Sequence, residues 1–329
     1  MELESLRVQR AKSLSFRWEW LLLVLILGAF FVNVRLSPYF WNYRSFMDAL
    51  SVFLEAGFMV FSMVMILVAG DIDISVASIA ALSSVLMALS HKAGLPMGLA
   101  MLVALGVGVA CGYFNGFLIS RVPNLSAIIV TLAGFSLYRG IAYVLLGDRA
   151  VSGFPSWYSY LAWGYIGNTG IPFMLAAFFA CALVYGLVLH RTAFGRKVFA
   201  IGTNRTAALF SGVPVARIRQ ILFTLNGLMA GVTAIFLTSK LGSSRPNVAT
   251  GYELEVIAIA VLGGASPSGG KGSIFGACLA FILMRLLRYG MGLRNIPGQV
   301  MMVAIGVVLI GVVMIPNLVM SRKKRTVVS

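Results

Sequence analysis

Six polar side chains stand out because they lie within long apolar segments. Polar groups are costly in a membrane interior, so such residues usually face the inside of a helical bundle or a water-filled path. At these positions they could hydrogen-bond a hydroxylated solute. The alternative is structural: an ion pair, or an interhelical hydrogen bond worth roughly 1 kcal/mol in membranes. The candidates for a translocation path are Glu55, Tyr113, Asn115, Tyr138, Arg139 and Asn226.

A second polar group lies in the stretch VAGDIDISVAS, Val68 to Ser78, between two apolar runs, and comprises Asp71, Asp73 and Ser75. The run from Asp48 to Ala69 is about 33 Å long as a helix, enough to cross a membrane. That length predicts a turn at the cytoplasmic interface, where either acid or the serine could cap the next helix. Two sharper hypotheses are a moving contact linked to a cytoplasmic partner, and a proton-coupled acid pair. The latter requires the turn to lie near the membrane midplane.

The sequence offers no complete catalytic or nucleotide-binding motif. His91 and His190 fall on opposite predicted sides of the membrane, so they support neither a metal site nor a His-based triad. The stretch from Gly263 to Ser273 is similar to a phosphate-binding loop, but Ala265 and Gly272 replace the first glycine and the hydroxyl residue of that motif. We therefore expect this chain to bind no cofactor, and any ATP and Mg²⁺ to be bound by separate subunits.

Composition identifies the class of protein that must position these residues. Of the 329 residues, 60% are hydrophobic and only 11% are charged, and the mean hydropathy is +0.94. Apolar runs long enough to cross a bilayer recur from Trp20 onwards, without the alternation typical of barrel strands. The sequence predicts an all-α transmembrane bundle. Its ten spans are predicted at 20–34, 48–69, 75–90, 96–119, 125–146, 172–189, 218–239, 252–264, 273–288 and 298–318.

The distribution of Lys and Arg predicts the orientation of the spans. Basic residues cluster in the N-terminal segment 1–19, the loop 190–217 and the tail 319–329, so the positive-inside rule makes these three segments cytoplasmic. Residues 20–318 then form one transmembrane domain. This topology accounts for the net charge of +16, and nucleic-acid binding is not predicted. Close helix contacts are predicted at the small-residue pairs Gly112/Gly116, Gly227/Gly231 and Gly272/Gly276.

The loop 190–217 has a helix-prone middle. Asn204 is a good N-cap, Ala207 and Ala208 favour a helix, and Gly212 ends it. A short helix exposed between two spans is suited to contact a cytoplasmic partner. The alternative is an interfacial helix that neutralises lipid phosphates.

Three blocks spread along the chain are GDIDISVAS (Gly70–Ser78), TAFGRKVFAIGTNRTAALFSGV (Thr192–Val213) and GYELEVIAIAVLGGASPSGGKGSIFG (Gly251–Gly276). With LYRG at Leu137–Gly140, they resemble the membrane-spanning permease subunits of bacterial ABC importers for ribose, xylose, rhamnose and the furanosyl autoinducer. In ABC importers generally, the loop that contacts the ATPase often carries Glu-Ala-Ala with a glycine four residues later. Here Thr206 replaces the glutamate.

The resemblance implies the transmembrane subunit of an ATP-driven importer, which forms the path for a monosaccharide or related polyhydroxylated solute. It implies cytoplasmic ABC ATPase subunits, a second permease subunit, a periplasmic or extracellular solute-binding protein, and location in the bacterial inner (plasma) membrane. Two alternatives stay open: a proton-coupled secondary transporter of a small polar solute, and a non-transporting scaffold. The residues that would couple the chain to the ATPase are Asn204, Ala207, Ala208 and Gly212.

Overall fold

The computed structural model describes residues 18–51, 54–122 and 125–298, together with residues 300, 301, 303, 306 and 307. Over these residues the protein is all-α, as predicted, apart from two strands of two residues each. The helices are α1 (Trp18–Leu36), α2 (Tyr43–Ser51), α3 (Gly57–Val68), α4 (Val76–Lys92), α5 (Met97–Arg121), α6 (Ala127–Leu146), α7 (Tyr160–Trp163), α8 (Phe173–Arg191), α9 (Ala193–Thr203), α10 (Arg205–Phe210), α11 (Val215–Leu241), α12 (Tyr252–Leu262) and α13 (Ile274–Leu293). Short 3₁₀ turns cover Pro38–Trp41, Leu54–Ala56 and Ser156–Ser159, and β1 (Val151–Ser152) pairs antiparallel with β2 (Ser243–Ser244).

Six of the described helices are long and apolar enough to cross a membrane, namely α1, α5, α6, α8, α11 and α13. The bent pair formed by α2 and residues 54–68 would make a seventh. The predicted spans at 75–90 and 252–264 correspond to α4, with 17 residues, and α12, with 11 residues. The predicted span at 298–318 and the tail 319–329 lie largely outside the described residues.

The span predicted over residues 48–69 is not one straight helix. Its two described parts, α2 and the segment from Leu54 to Val68, meet at an angle of 51°. The polar residues explain the change of direction: Asp48 on α2 accepts a hydrogen bond from the Tyr165 hydroxyl at 2.8 Å, so α2 is held beside the loop that follows α7. The apolar helix α3 then enters the core, where all its residues are buried.

The connections between helices gather at two ends of the bundle. At one, called the α10 end, Gly70 after α3 lies against Gly269, and the indole nitrogen of Trp18 donates to the carbonyl of Leu262 at 2.6 Å. At the other, called the Lys240 end, β1 and β2 pair and Lys240 at the end of α11 lies 3.1 Å from Glu55. The described helices α5, α6, α8 and α11 therefore alternate in direction between the two ends, and α13 runs in the same direction as α11 because α12 lies between them.

The closest helix contact joins α5 and α11. A side chain added at Gly227 would overlap the carbonyl oxygen of Gly108 and lie 2.8 Å from the Cα of Gly112. One helical turn further on, Gly231 packs against Ala104 in the same way. The predicted close approach at the glycine pairs on these two helices is confirmed, because only glycine lets the backbones come this near.

Candidate functional site

The turn between α3 and α4 begins with a glycine that its geometry requires. Gly70 has φ +79°, a conformation that residues with a side chain rarely adopt, and its Cα faces the backbone of Gly269. The chain then runs without regular structure through Asp71 and Asp73 before α4 begins. The turn therefore brings two acidic residues back along the bundle interior.

Asp71 forms a bidentate ion pair with Arg219, near the start of α11. The Nε and Nη2 atoms of Arg219 lie 2.6 and 2.9 Å from the two carboxylate oxygens, and both side chains are almost fully buried. Arg205, the first residue of α10, adds a contact at 3.1 Å and is 43% exposed. Paired charges in this geometry hold each other firmly, since removing one would leave the other buried and unpaired. The exposed Arg205 contributes much less to stability.

Asp73 has no cationic partner among the residues that the structure describes and is held by neutral donors instead. It is fully buried and accepts hydrogen bonds from the Ser75 amide at 2.8 Å, the Ser75 hydroxyl at 2.6 Å and the Asn226 side chain at 2.8 Å. Asn226 lies about 17 Å along α11 from its first residue, at 1.5 Å per residue. Asp73 and Ser75 therefore lie well inside the bundle, and only Asp71 lies at the α10 end. The prediction that all three share an interfacial turn is corrected, because the chain turns inward after Gly70.

The capping prediction is wrong for α4. Ser75 is its N-cap residue and makes no side-chain capping hydrogen bond, and Asp73 accepts the backbone N–H of Ser75 itself, before the first turn of the helix. The Ser75 hydroxyl instead donates to Asp73.

The network around Asp73 brings together three of the residues selected from the sequence. Asn115 on α5 donates to the Ser75 hydroxyl at 2.8 Å and accepts from the Tyr138 hydroxyl at 2.7 Å. Asn226 accepts from Ser62 on α3 at 2.7 Å. Five elements are thus joined by polar groups in an otherwise apolar interior. Because buried polar groups need partners, this network fixes how α3, α4, α5, α6 and α11 align.

Glu55, Arg139 and Tyr113 lie apart from this network. Glu55 is buried at the Lys240 end, where it pairs with Lys240 and accepts from the Tyr252 hydroxyl at 2.9 Å. Arg139 donates to the carbonyls of Pro246 and Val248 at 2.6 and 2.8 Å, in the loop after β2. Tyr113 is half exposed on the outer face of α5 and stacks on Phe117.

The loop between α8 and α11 folds into two helices. Asn204 caps α10 by accepting the N–H of Ala207 at 2.9 Å, and Gly212 follows with φ +79°. Ala208 is buried, while Asn204, Ala207 and Gly212 are exposed. The prediction of a short helix in this loop is confirmed, although α9 was not predicted. Beside these residues α10 exposes two large apolar side chains, Leu209 and Phe210, at 58% and 86%.

Several functional candidates were missed by reasoning from the sequence. Arg219 was not selected, although it is a charged residue inside the predicted span 218–239 and could therefore have been marked as a partner for an acid. Glu255 and Arg285 form a buried ion pair between α12 and α13. Both are charged residues inside predicted spans, so the criterion that selected Glu55 also applies to them.

The fold and these contacts define a multi-pass helical membrane protein with a polar interior and a helical loop at one end. A family model described as "Branched-chain amino acid transport system / permease component" matches residues 45–315. The chain is 32% identical over 301 residues to the autoinducer 2 import system permease protein LsrD of Photorhabdus temperata, which covers 90% of both chains. It is 32% identical over 304 residues, or 91% of both chains, to the protein of that name from Escherichia coli O9:H4 (strain HS). No solved structure matches.

The chain therefore belongs to this family of transport permeases. Because the family match and the LsrD relatives each extend over most of the chain, they confirm the resemblance found in the sequence blocks. The protein is the permease component of an ABC importer, and its relatives are transport permease subunits.

Proposed function

We propose that this chain forms the translocation path for a monosaccharide or a related small polyhydroxylated solute in an ATP-driven importer. Its LsrD relatives are named as permeases of an autoinducer 2 import system. The observation that carries the proposal is the contact between α10 and the interior. Arg205 on α10 pairs with Asp71, which also pairs with Arg219 on α11.

The coupling mechanism follows from these contacts. ATPase closure would press on Leu209 and Phe210, the exposed apolar side chains of α10. The α10 movement would reach α11 through Asp71, and it would reach α3 through α9. A side chain added at Gly202 on α9 would overlap the carbonyl oxygen of Val68, so these backbones are in direct contact. Asn204 and Gly212 would set the two ends of α10, and Ala207 and Ala208 its packing on the partner and on the bundle.

The proposed topology has ten spans, with both termini and the α10 end in the cytoplasm of the bacterial inner membrane. The directions of successive helices support this topology, because the loops that join them lie in turn at the α10 end and at the Lys240 end. The short helices α4 and α12 would cross together with their extended flanking residues, as broken helices do in other transporters. The proposed segments are a cytoplasmic N-terminal segment at 1–19, one transmembrane domain at 20–318 and a cytoplasmic tail at 319–329. The coupling loop lies at 190–217.

The partners proposed for this permease are two cytoplasmic ABC ATPase subunits, which bind ATP and Mg²⁺, and a second permease subunit of the same or a homologous kind. A periplasmic or extracellular binding protein would deliver the solute to the Lys240 end. Alternating access between helical bundles would open and close the path. The polar groups proposed to line that path are Glu55, Tyr113, Asn115, Tyr138, Arg139 and Asn226, with Asp71, Asp73 and Ser75 forming the turn that moves with it.

Co-purification from mild detergent, with the associated chains identified by mass, tests this proposal. A stoichiometric ATPase is the expected result, and it should be lost when Leu209 and Phe210 are both replaced by serine. A matched variant, Leu183→Ser, changes an apolar side chain of α8 that is 63% exposed and lies outside α10. If a preparation that still transports contains no ATPase, the importer proposal fails and a proton-coupled carrier takes its place.

A further inference from the structure

A cavity of about 670 Å³ opens at the Lys240 end, apart from the network around Asp73. Its walls come from α2, α7, α8, α11 and α12, with the turn that carries Glu55 at one side. The volume falls in the range of small-ligand sites, which combine an apolar lining with a few placed polar groups. The polar and aromatic residues of the lining are Asp48, Ser51, Glu55, Trp163, Tyr165, Lys240 and Tyr252.

The hydrogen-bonding groups in this cavity are already oriented. The Tyr165 hydroxyl donates to Asp48 at 2.8 Å, and this bond raises the pKa of the Tyr165 phenol. Glu55 is held between the Lys240 ammonium at 3.1 Å and the Tyr252 hydroxyl at 2.9 Å. Each carboxylate oxygen keeps lone pairs beyond these contacts. Asp48 and Glu55 therefore present fixed acceptors to a ligand that brings several O–H donors.

The charges of the lining select against an anionic ligand. Asp48 and Glu55 bring two carboxylates, and Lys240 is the one cation that the described lining contains. Lys240 is paired with Glu55, so a ligand carboxylate or phosphate would have to displace that pair. Arg44 is nearby but lies over the Tyr165 ring, 5.6 Å from its centroid. An amino acid or a phosphorylated sugar is disfavoured, whereas a neutral solute meets no such cost.

Aromatic side chains in the lining offer apolar faces against which the ring of a ligand can pack. The indole N–H of Trp163 donates to the carbonyl of Lys240 at 3.2 Å, which fixes the ring at the edge of the cavity. Tyr165 and Tyr252 add two further rings to the lining. Rings of this kind combine an apolar face with a polar tip. They match a sugar ring, which has apolar C–H faces and hydroxyls around its edge.

We propose that this cavity is a binding site for a neutral polyhydroxylated solute, which it receives at the Lys240 end before translocation. The inference rests on the proposed function and assigns its solute a binding site. Asp48 and Glu55 accept hydrogen bonds from the solute hydroxyls, and Trp163 and Tyr165 contact its ring.

Saturation-transfer difference NMR on the full-length permease in lipid nanodiscs tests the proposal, with empty nanodiscs as background. The probes are D-ribose as a neutral polyol, D-ribose 5-phosphate as its matched anion, and L-leucine. Saturation transfer to the ring protons of ribose is expected, with little to the other two. Replacing one carboxylate oxygen by an amide NH2, or the indole by a smaller ring without an N–H, should make ribose binding about tenfold weaker in Asp48→Asn and in Trp163→Phe.

The control variant is Asp148→Asn, which removes an exposed carboxylate outside the cavity lining and should leave the ribose signal unchanged. The proposal is overturned if ribose gives no transfer above empty nanodiscs, if leucine or the phosphate is preferred, or if Asp48→Asn and Trp163→Phe bind ribose as the wild type does. Each of these results is independent of ATPase co-purification, so failure of the site is distinct from failure of the importer proposal.

Discussion

Asp71 and Asp73 are two residues apart, yet the structure gives them opposite environments. Asp71 is neutralised by Arg219 and Arg205, while Asp73 is surrounded by Ser75 and Asn226 and has no counter-ion within the described part of the chain. The sequence alone marked both as acids in an apolar region. It could not separate their roles, because the partners come from helices about 150 residues away in the chain.

The Asp71–Arg219 pair predicts a selective loss of stability. Arg219→Ala should lower the free energy of unfolding by about 3 kcal/mol or more, since it leaves a buried carboxylate without its main partner. Arg217→Ala, on the same helix but exposed, should change it by less than about 0.5 kcal/mol. Thermal unfolding of both variants in detergent checks this. Equal losses would show that the pair is not what stabilises this contact.

Removing the Asp73 carboxylate should destabilise the protein, because the neutral groups that bind it lose their acceptor. In Asp73→Ala the Ser75 N–H and the Asn226 amide lose their acceptor while staying buried, which costs about 1–3 kcal/mol for each group. Fluorescence-detected thermal melting should therefore show a clear decrease, compared with no decrease for Asp148→Ala at an exposed position. A variant at Asp73 that melts like the wild type would contradict the network.

At the scale of elements, local sequence signals correctly predicted helix ends and close helix contacts. Asn204 and Gly212 marked the ends of α10, and the glycine pairs marked the contact between α5 and α11. The break between α2 and α3 was missed because the apolar run continues across it. The reason for the break lies in the contacts of Asp48 and Glu55 with Tyr165, Lys240 and Tyr252, which are distant in sequence.

The contact between α5 and α11 predicts intolerance of even a methyl group. Gly227→Ala would force its Cβ into the carbonyl oxygen of Gly108, and such overpacking costs about 1–3 kcal/mol. Gly106→Ala, on α5 with nothing within 4 Å of the added Cβ, should be neutral or slightly stabilising. Melting temperatures of the purified variants distinguish the two. Similar melting temperatures would mean that the helices separate at little cost.

Substituting the glycine that ends α10 should impair coupling to the ATPase without a folding defect. Gly212→Val places a branched side chain at φ +79°, a strain of about 1–2 kcal/mol, and should reduce both bound ATPase and solute uptake while membrane insertion is unchanged. Gly242→Val introduces similar strain at φ +63° but at the opposite end of the bundle, and should retain the ATPase. Co-purification of the ATPase with each variant is the measurement. Full retention by Gly212→Val would argue against α10 as the coupling element.

At the scale of the whole molecule, composition predicted an all-α membrane protein, and the described helices confirm it. The number of spans is harder to predict, because α4 and α12 are apolar but shorter than a full crossing. Their burial against neighbouring helices, not their length, places them inside the bundle. The candidate path residues also divide by position: Asn115, Tyr138 and Asn226 meet around Asp73, whereas Glu55 and Arg139 serve the Lys240 end.

We propose that ATP hydrolysis by partner subunits moves this helical bundle. The most direct test is uptake by proteoliposomes that contain the permease with its co-purified partners, supplied with either ATP or an imposed pH gradient. The substrates are D-ribose and the solute that the partner binding protein delivers. Uptake that requires ATP at the α10 side and ignores the pH gradient is the predicted result. Uptake driven by the pH gradient without ATP would contradict the account and identify a proton-coupled carrier.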